Sequence, residues 1–103
     1  MGSRATLAAM ALLDDAAIDE RLGSVEGWRR GEGSSIERER EFADFAAAIT
    51  FVDGVAQVAE AANHHPDILL HGWNKVRLTL STHSQGGLTE ADFRLAGEID
   101  QLP

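Results

Sequence analysis

The sequence contains no cysteine and only one lysine, Lys75. The lack of cysteine excludes disulfides, thiolate nucleophiles and cysteine-ligated zinc sites. Acidic residues outnumber basic ones by 17 to 9, which gives a formal net charge of −8, and the arginines are scattered along the chain. A nucleic-acid-binding protein needs a basic surface to neutralise phosphates. We therefore predict no direct binding to nucleic acid.

A long apolar run is also missing from the start of the sequence. The apolar stretch at residues 7–13 is too short to span a bilayer and lacks the features of a signal peptide. We therefore predict a cytoplasmic protein that does not bind membranes. Residues 1–12 are predicted to be a poorly ordered extension, and residues 13–103 a single domain, as expected for a chain of 103 residues.

The periodicity of the apolar residues predicts three helices and four strands. Apolar residues spaced three and four apart indicate the helices, and strict alternation indicates the strands. The predicted order is a helix at 15–22, strands at 28–30 and 36–42, a helix at 45–59, strands at 67–71 and 75–82, and a helix at 90–102. This order predicts an α+β fold, in which a four-stranded antiparallel sheet carries three helices on one face.

Two details of these elements concern how they pack. In the strand at 36–42, Arg38 and Arg40 share a face with the apolar residues, so that face is predicted to be only partly buried. Gly54 lies inside the longest helix, where glycine costs about 1 kcal/mol relative to alanine. It either permits close packing or is simply tolerated.

The histidines are the candidate catalytic residues. His64 and His65 lie at a helix-to-strand junction, His83 ends a strand beside a Gly-Gly turn, and His71 is the fourth. Histidine titrates near neutral pH, so such positions suit proton transfer, although loop-edge histidines on a surface are common. Adjacent residues in extended chain point in opposite directions, so His64 and His65 are poor joint metal ligands. We predict no metal, and the sequence lacks phosphate-binding and GxSxG motifs.

A series of motifs resembles the pterin-4a-carbinolamine dehydratase family over about residues 13–102. The motifs are Glu60; Asn63-His64-His65-Pro66-Asp67; Trp73-Asn74-Lys75-Val76; Leu78-Thr79-Leu80-Ser81-Thr82-His83; and Gly87-Leu88-Thr89 with Asp92. Upstream, Gly27-Trp28 and the pattern of Phe42, Asp44, Phe45 and Phe51 fit the same family. The resemblance implies the same sheet-and-helix fold, assembled as homodimers or homotetramers. Arg40 departs from the apolar or aromatic residue that relatives often carry there.

The activity implied by the resemblance is the loss of water from a 4a-hydroxytetrahydropterin, without metal or organic cofactor. This reaction accompanies aromatic amino acid hydroxylases and yields a quinonoid dihydropterin. The implied catalytic residues are His64, His65 and His83, with His64 and His83 as general acid and base and His65 orienting the pterin. The implied substrate-binding residues are Glu60, Pro66, Asp67, Trp73, Thr82, Ser84 and Gln85.

Several of these residues also have structural interpretations. Glu60 is either a contact of a neighbouring histidine or the pterin, or a solvated helix residue. Trp73 is either a wall of the pterin pocket or a core residue of a strand. Thr89 and Asp92 have the spacing of a capping pair, so Asp92 is predicted to be structural.

Two other functions stay open at this point. Family members also act as dimerisation partners of a transcription factor, and relatives are suspected assembly factors, so an interaction protein is the alternative to an enzyme. The intact histidines favour the enzyme. A pterin binder or hydro-lyase that acts outside hydroxylase recycling is the third interpretation.

Overall fold

The computed structural model describes residues 11–103, and the order of its elements confirms the prediction. The elements are α1 (Asp15–Leu22), β1 (Arg29–Arg30), β2 (Ile36–Glu41), α2 (Phe45–Ala62), β3 (Asp67–His71), β4 (Lys75–Leu80), a 3-10 turn (His83–Gln85) and α3 (Glu90–Asp100). Strand β3 has the predicted bounds, and the other three strands are one or two residues shorter than predicted. The predicted disorder at 1–12 falls mostly on residues 1–10, which lie outside the described residues. The single-domain assignment stays a prediction.

The four strands form one antiparallel sheet in the order β1-β2-β4-β3. Ile36 of β2 pairs with Leu80 of β4, and Arg38 pairs with Leu78. This register places the alternating apolar residues of β4 on one face, where they are fully buried. The buried residues of α2 and α3 complete this core: Ala48, Phe51, Val55, Ala59, Phe93, Leu95, Ala96 and Ile99. The predicted α+β fold is confirmed.

The arginines of β2 lie on the helix side of the sheet and are half-buried. Arg38 contacts Asp100 at the end of α3, and the same carboxylate accepts a hydrogen bond from Trp28 Nε1 at 2.9 Å. Arg40 instead lies over the rings of Phe42 and Phe51. The prediction that this face is only partly buried is confirmed, because both Arg38 and Arg40 are half-buried.

The ends of α2 are defined by local sequence. Asp44 caps the start, since its side chain accepts a hydrogen bond from Ala47 N at 2.8 Å. At the other end Asn63 adopts the left-handed conformation, with φ of 51° and ψ of 42°, which turns the chain towards β3. By length and composition alone α2 would also cross a bilayer, but this is weak evidence because core helices pass the same test.

Candidate active site

The left-handed turn at Asn63 places His64 beside the first turn of α3. The His64 backbone N–H donates to the carbonyl of Ala59 at 3.1 Å. The His64 imidazole Nε2 lies 2.6 Å from Asp92 Oδ1. Asp92 is completely buried, whereas the His64 side chain keeps 16% of its surface exposed. The pair therefore joins a buried carboxylate to an imidazole that solvent or substrate can reach.

The second carboxylate oxygen of Asp92 organises two buried threonines. Asp92 Oδ2 accepts from Thr82 Oγ1 at 2.7 Å and from Thr89 N at 2.9 Å, and the two threonine hydroxyls lie 2.8 Å apart. Thr89 and Asp92 form the capping box of α3, so the predicted capping role is confirmed. A carboxylate can only accept, so His64 Nε2 donates the hydrogen bond and Nδ1 is left free. The sequence analysis did not predict the contact between Asp92 and His64.

His83 follows Thr82 directly, at the point where β4 has ended. Thr82 N donates to the carbonyl of Gly87 at 2.8 Å, which closes the loop that carries His83. His83 is exposed and lines a cleft of about 270 Å³ together with Asp67, Thr79 and Ser81. Because β3 and β4 are antiparallel, the residues before β3 and after β4 lie at the same end of the sheet. The tertiary structure thus brings His64, Asp67, Thr82 and His83 to one end.

The cleft at His83 opens onto a larger groove on the uncovered face of the sheet. This groove measures about 690 Å³ and shares Asp67 and Thr79 with the cleft. It extends towards Arg29 and Arg77. Ligand pockets usually span about 300–1,000 Å³, so the cleft and groove together have room for a bicyclic ring and a substituent.

His65 and Glu60 form a pair at the surface. His65 Nε2 lies 2.5 Å from Glu60 Oε2, and both side chains are largely exposed. Glu60 thus contacts a neighbouring histidine and is also a solvated helix residue, with 76% of its side chain exposed, while its contact with the pterin stays a prediction. Pro66, the next residue, is half-buried, while Ser84 and Gln85 are exposed in the 3-10 turn that begins at His83. Their predicted contacts with substrate stay predictions.

Trp73 lies in the turn between β3 and β4, at the end of the hairpin opposite to His64 and His83. Its φ is 62° and it is 62% exposed, so its interpretation as a core residue is wrong. Strand β3 has five residues, each rising about 3.3 Å, so Trp73 is roughly 15 Å from the histidine end. Within one chain the structure does not bring Trp73 to the cleft. Its role in pterin binding stays a prediction.

His71 belongs to a separate cluster on the uncovered face of the sheet. Its Nε2 lies 2.6 Å from Glu39 Oε1, and Arg77 Nη2 lies 3.3 Å from the same oxygen. The hydrogen bond from His71, with smaller contributions from the charges of His71 and Arg77, holds the pKa of Glu39 below its usual range. Within residues 11–103, no three histidine, cysteine or carboxylate side chains are grouped as a metal site.

Comparison with known families identifies this arrangement. A family model described as pterin 4 alpha carbinolamine dehydratase matches residues 11–102. The chain belongs to this family. A provisionally named pterin-4-alpha-carbinolamine dehydratase of Roseiflexus castenholzii is 53% identical over 92 residues, covering 89% of this chain and 97% of the relative. A relative of the same provisional name from Acidobacterium capsulatum is also 53% identical, covering 90% and 99%.

Solved structures support the same family and fold. A transcriptional coactivator/pterin dehydratase from Brucella melitensis superimposes with a TM-score of 0.83 at 33% identity, covering 88% of this chain and 97% of the other. A pterin dehydratase-like protein, described as a RuBisCO assembly factor in the alpha-carboxysome, has a TM-score of 0.61 at 27% identity, covering 74% and 88%. The pterin dehydratase fold is therefore shared by proteins described with different functions.

Proposed function

We propose that the protein is a lyase that removes water from a 4a-hydroxytetrahydropterin and yields a quinonoid dihydropterin. The observation that carries the proposal is the chain of contacts from His64 through Asp92 to Thr82, which ends next to His83. These contacts fix the His64 imidazole at the end of the sheet where His83 lines a cleft. In a host with an aromatic amino acid hydroxylase, the reaction would recycle tetrahydrobiopterin in the cytoplasm.

The reaction needs one proton donor and one proton acceptor. A proton is delivered to the leaving 4a-hydroxyl, and a proton is removed from the neighbouring ring nitrogen. His64 and His83 supply these two functions, and general acid–base catalysis of this kind is worth ~10²–10⁴ in rate. The Asp92 carboxylate fixes the tautomer and the orientation of His64 through the 2.6 Å contact. His65, exposed and hydrogen-bonded to Glu60, binds and orients the pterin.

The test is the disappearance of 4a-hydroxytetrahydropterin, generated in situ by a phenylalanine hydroxylase, with and without the protein. We expect dehydration faster than the spontaneous rate. His64→Ala and His83→Ala should each lose most of the acceleration. His71→Ala is the matched control, because His71 contacts Glu39 on the uncovered face of the sheet instead of the Asp92 network. Wild-type turnover in both His64→Ala and His83→Ala would refute the assignment.

The second candidate function is assembly or interaction without catalysis. It is supported by the 27% identical structure described as a RuBisCO assembly factor. Strand β3 also forms one edge of the sheet and exposes Ile68 and Leu69, which are 38% and 49% exposed. Such an edge favours pairing with another chain, and it supports the proposal of a homodimer or homotetramer. Correctly folded protein that does not accelerate dehydration would favour this second function, and analytical ultracentrifugation would test the oligomer.

A further inference from the structure

A second depression lies on the helix side of the sheet, at the end away from His64 and His83. It measures about 640 Å³ and is lined by the rings of Phe42 and Phe51, by Gly54 of α2 and by Leu102 and Pro103. The backbone of Phe42 is hydrogen-bonded to Asn74 in the β3–β4 turn, which fixes its position at this end. The groove is thus mainly apolar and separate from the candidate active site. Its size is that of a site for a small molecule.

Arg40 places a positive charge in this apolar groove. Its guanidinium carbon lies 5.0 Å from the ring centroid of Phe42 and 4.7 Å from that of Phe51, which holds the group in place. Among residues 11–103, no carboxylate lies within ion-pairing distance of Arg40, whereas Arg38 is paired with Asp100. Burial and the nearby charge of Arg38 lower the pKa of Arg40, and Asp100 offsets this only in part. The fixed guanidinium therefore lacks an anionic partner.

The apolar surface around Arg40 is also incompletely covered by the described part of the chain. Helix α2 is mainly apolar, and outside the groove lining it also exposes Phe45 and Ile49, by 52% and 38%. One acidic side chain, Asp53, lines the groove. A ligand anion would therefore have to bind at the Arg40 end of the groove and extend its apolar part towards Leu102.

We propose that this groove binds a small amphipathic carboxylate, with its carboxylate on Arg40 and its apolar body on Phe42, Phe51 and Leu102. Arginine suits this ligand because its planar fork donates two parallel hydrogen bonds to a carboxylate. The net charge of −8 makes the chain as a whole repel anions, so binding here depends on the local cation. The proposal is independent of the dehydratase activity.

The experiment compares octanoate with octanol as ligands of the full-length protein. Binding is followed by calorimetry and by the amide NMR shifts of Gly54 and Leu102. We expect octanoate to bind at least about tenfold more tightly than octanol, since a hydrogen-bonded charge pair is lost with the alcohol. Arg40→Gln should remove this preference, and Arg40→Lys should keep part of it. Arg94→Gln, an exposed arginine of α3 that lines neither groove, is the control and should bind as the wild type does.

Three results would overturn the proposal. Equal affinity for octanoate and octanol would show that the cation does not select the ligand. An unchanged preference in folded Arg40→Gln would show that the carboxylate binds elsewhere. Failure of octanoate to bind, with sedimentation showing a stable oligomer, would assign the groove to a contact between copies. If Arg40→Gln does not fold, the wild-type protein still tests the proposal. A preference for octanoate over octanol that weakens as salt is added would support it, and a preference that salt leaves unchanged would overturn it.

Discussion

Replacing Asp92 by asparagine tests the proposed mechanism at its buried centre. The asparagine carbonyl can still accept from Thr82 and from Thr89 N, which lie 2.7 and 2.9 Å from Asp92 Oδ2. The amide nitrogen then takes the place of Oδ1, 2.6 Å from His64 Nε2. Because an amide NH₂ donates, Nε2 must become the acceptor and the His64 proton must move to Nδ1. The variant keeps the cap and reverses the tautomer.

The expected magnitudes follow from these contacts. All three hydrogen bonds to the Asp92 carboxylate become hydrogen bonds to a neutral amide, so the free energy of unfolding should fall by about 1–3 kcal/mol. A protein of this size is usually stable by about 5–15 kcal/mol, so the variant should fold. Turnover should fall by about 10²–10⁴, because the reversed tautomer changes which nitrogen of His64 carries the proton and so presents the wrong group to the substrate. Urea unfolding, dehydration kinetics and the NMR tautomer state of His64 measure the three effects.

Thr89→Ala is the control for this experiment. It removes the hydroxyl that accepts from Ala91 N at 3.2 Å and that lies 2.8 Å from Thr82 Oγ1, so it should cost about 1–2 kcal/mol as a lost helix cap and a lost buried hydrogen bond. It leaves the contact between His64 and Asp92 in place, so turnover should stay near the wild-type value. If Asp92→Asn folds with a reversed tautomer and still turns over normally, the proposed role of the carboxylate is wrong.

Two further predictions concern stability. Gly54→Ala should raise the free energy of unfolding by about 0.5–1 kcal/mol, because alanine favours helix and its Cβ would lie 3.4 Å from Leu102; a lower melting temperature would show that this contact is too tight. Glu39→Gln should destabilise the protein above about pH 5. The lowered pKa of Glu39 means that its ionised form stabilises the folded protein. This stabilisation is present above the pKa of Glu39 in the unfolded chain and is lost as the pH falls through its pKa in the folded protein. Urea unfolding at pH 5.5 and pH 3 should show the difference from wild type shrinking with acid. An equal effect at both pH values, or the same pattern in Glu41→Gln, would contradict the role of the His71 contact.

Much of the fold could be predicted from local patterns. The alternation of apolar residues in β4 marks a strand with one buried face, and Asp44 and Thr89 mark helix starts because their side chains satisfy free backbone N–H groups. Such signals lie within a few residues of the element that they specify. The motifs around His64 and His83 also identified the family, since they occur in order at characteristic spacings.

The contacts that connect distant residues were decided only by the tertiary structure. Asp92 is 28 residues from His64 in the sequence. Its role in the capping box with Thr89 is a sufficient local reason for an aspartate at this position, so no local pattern indicated the contact with His64. The contact between Asp92 and His64 exists because α2 and α3 pack on the same face of the sheet. This packing brings the C-terminal end of α2 next to the first turn of α3. Trp73 shows the converse: a residue in a family motif lies in an exposed turn, because the hairpin reverses there with a positive φ. The sequence alone thus determined the elements and the candidate histidines, whereas packing between elements determined which side chains meet.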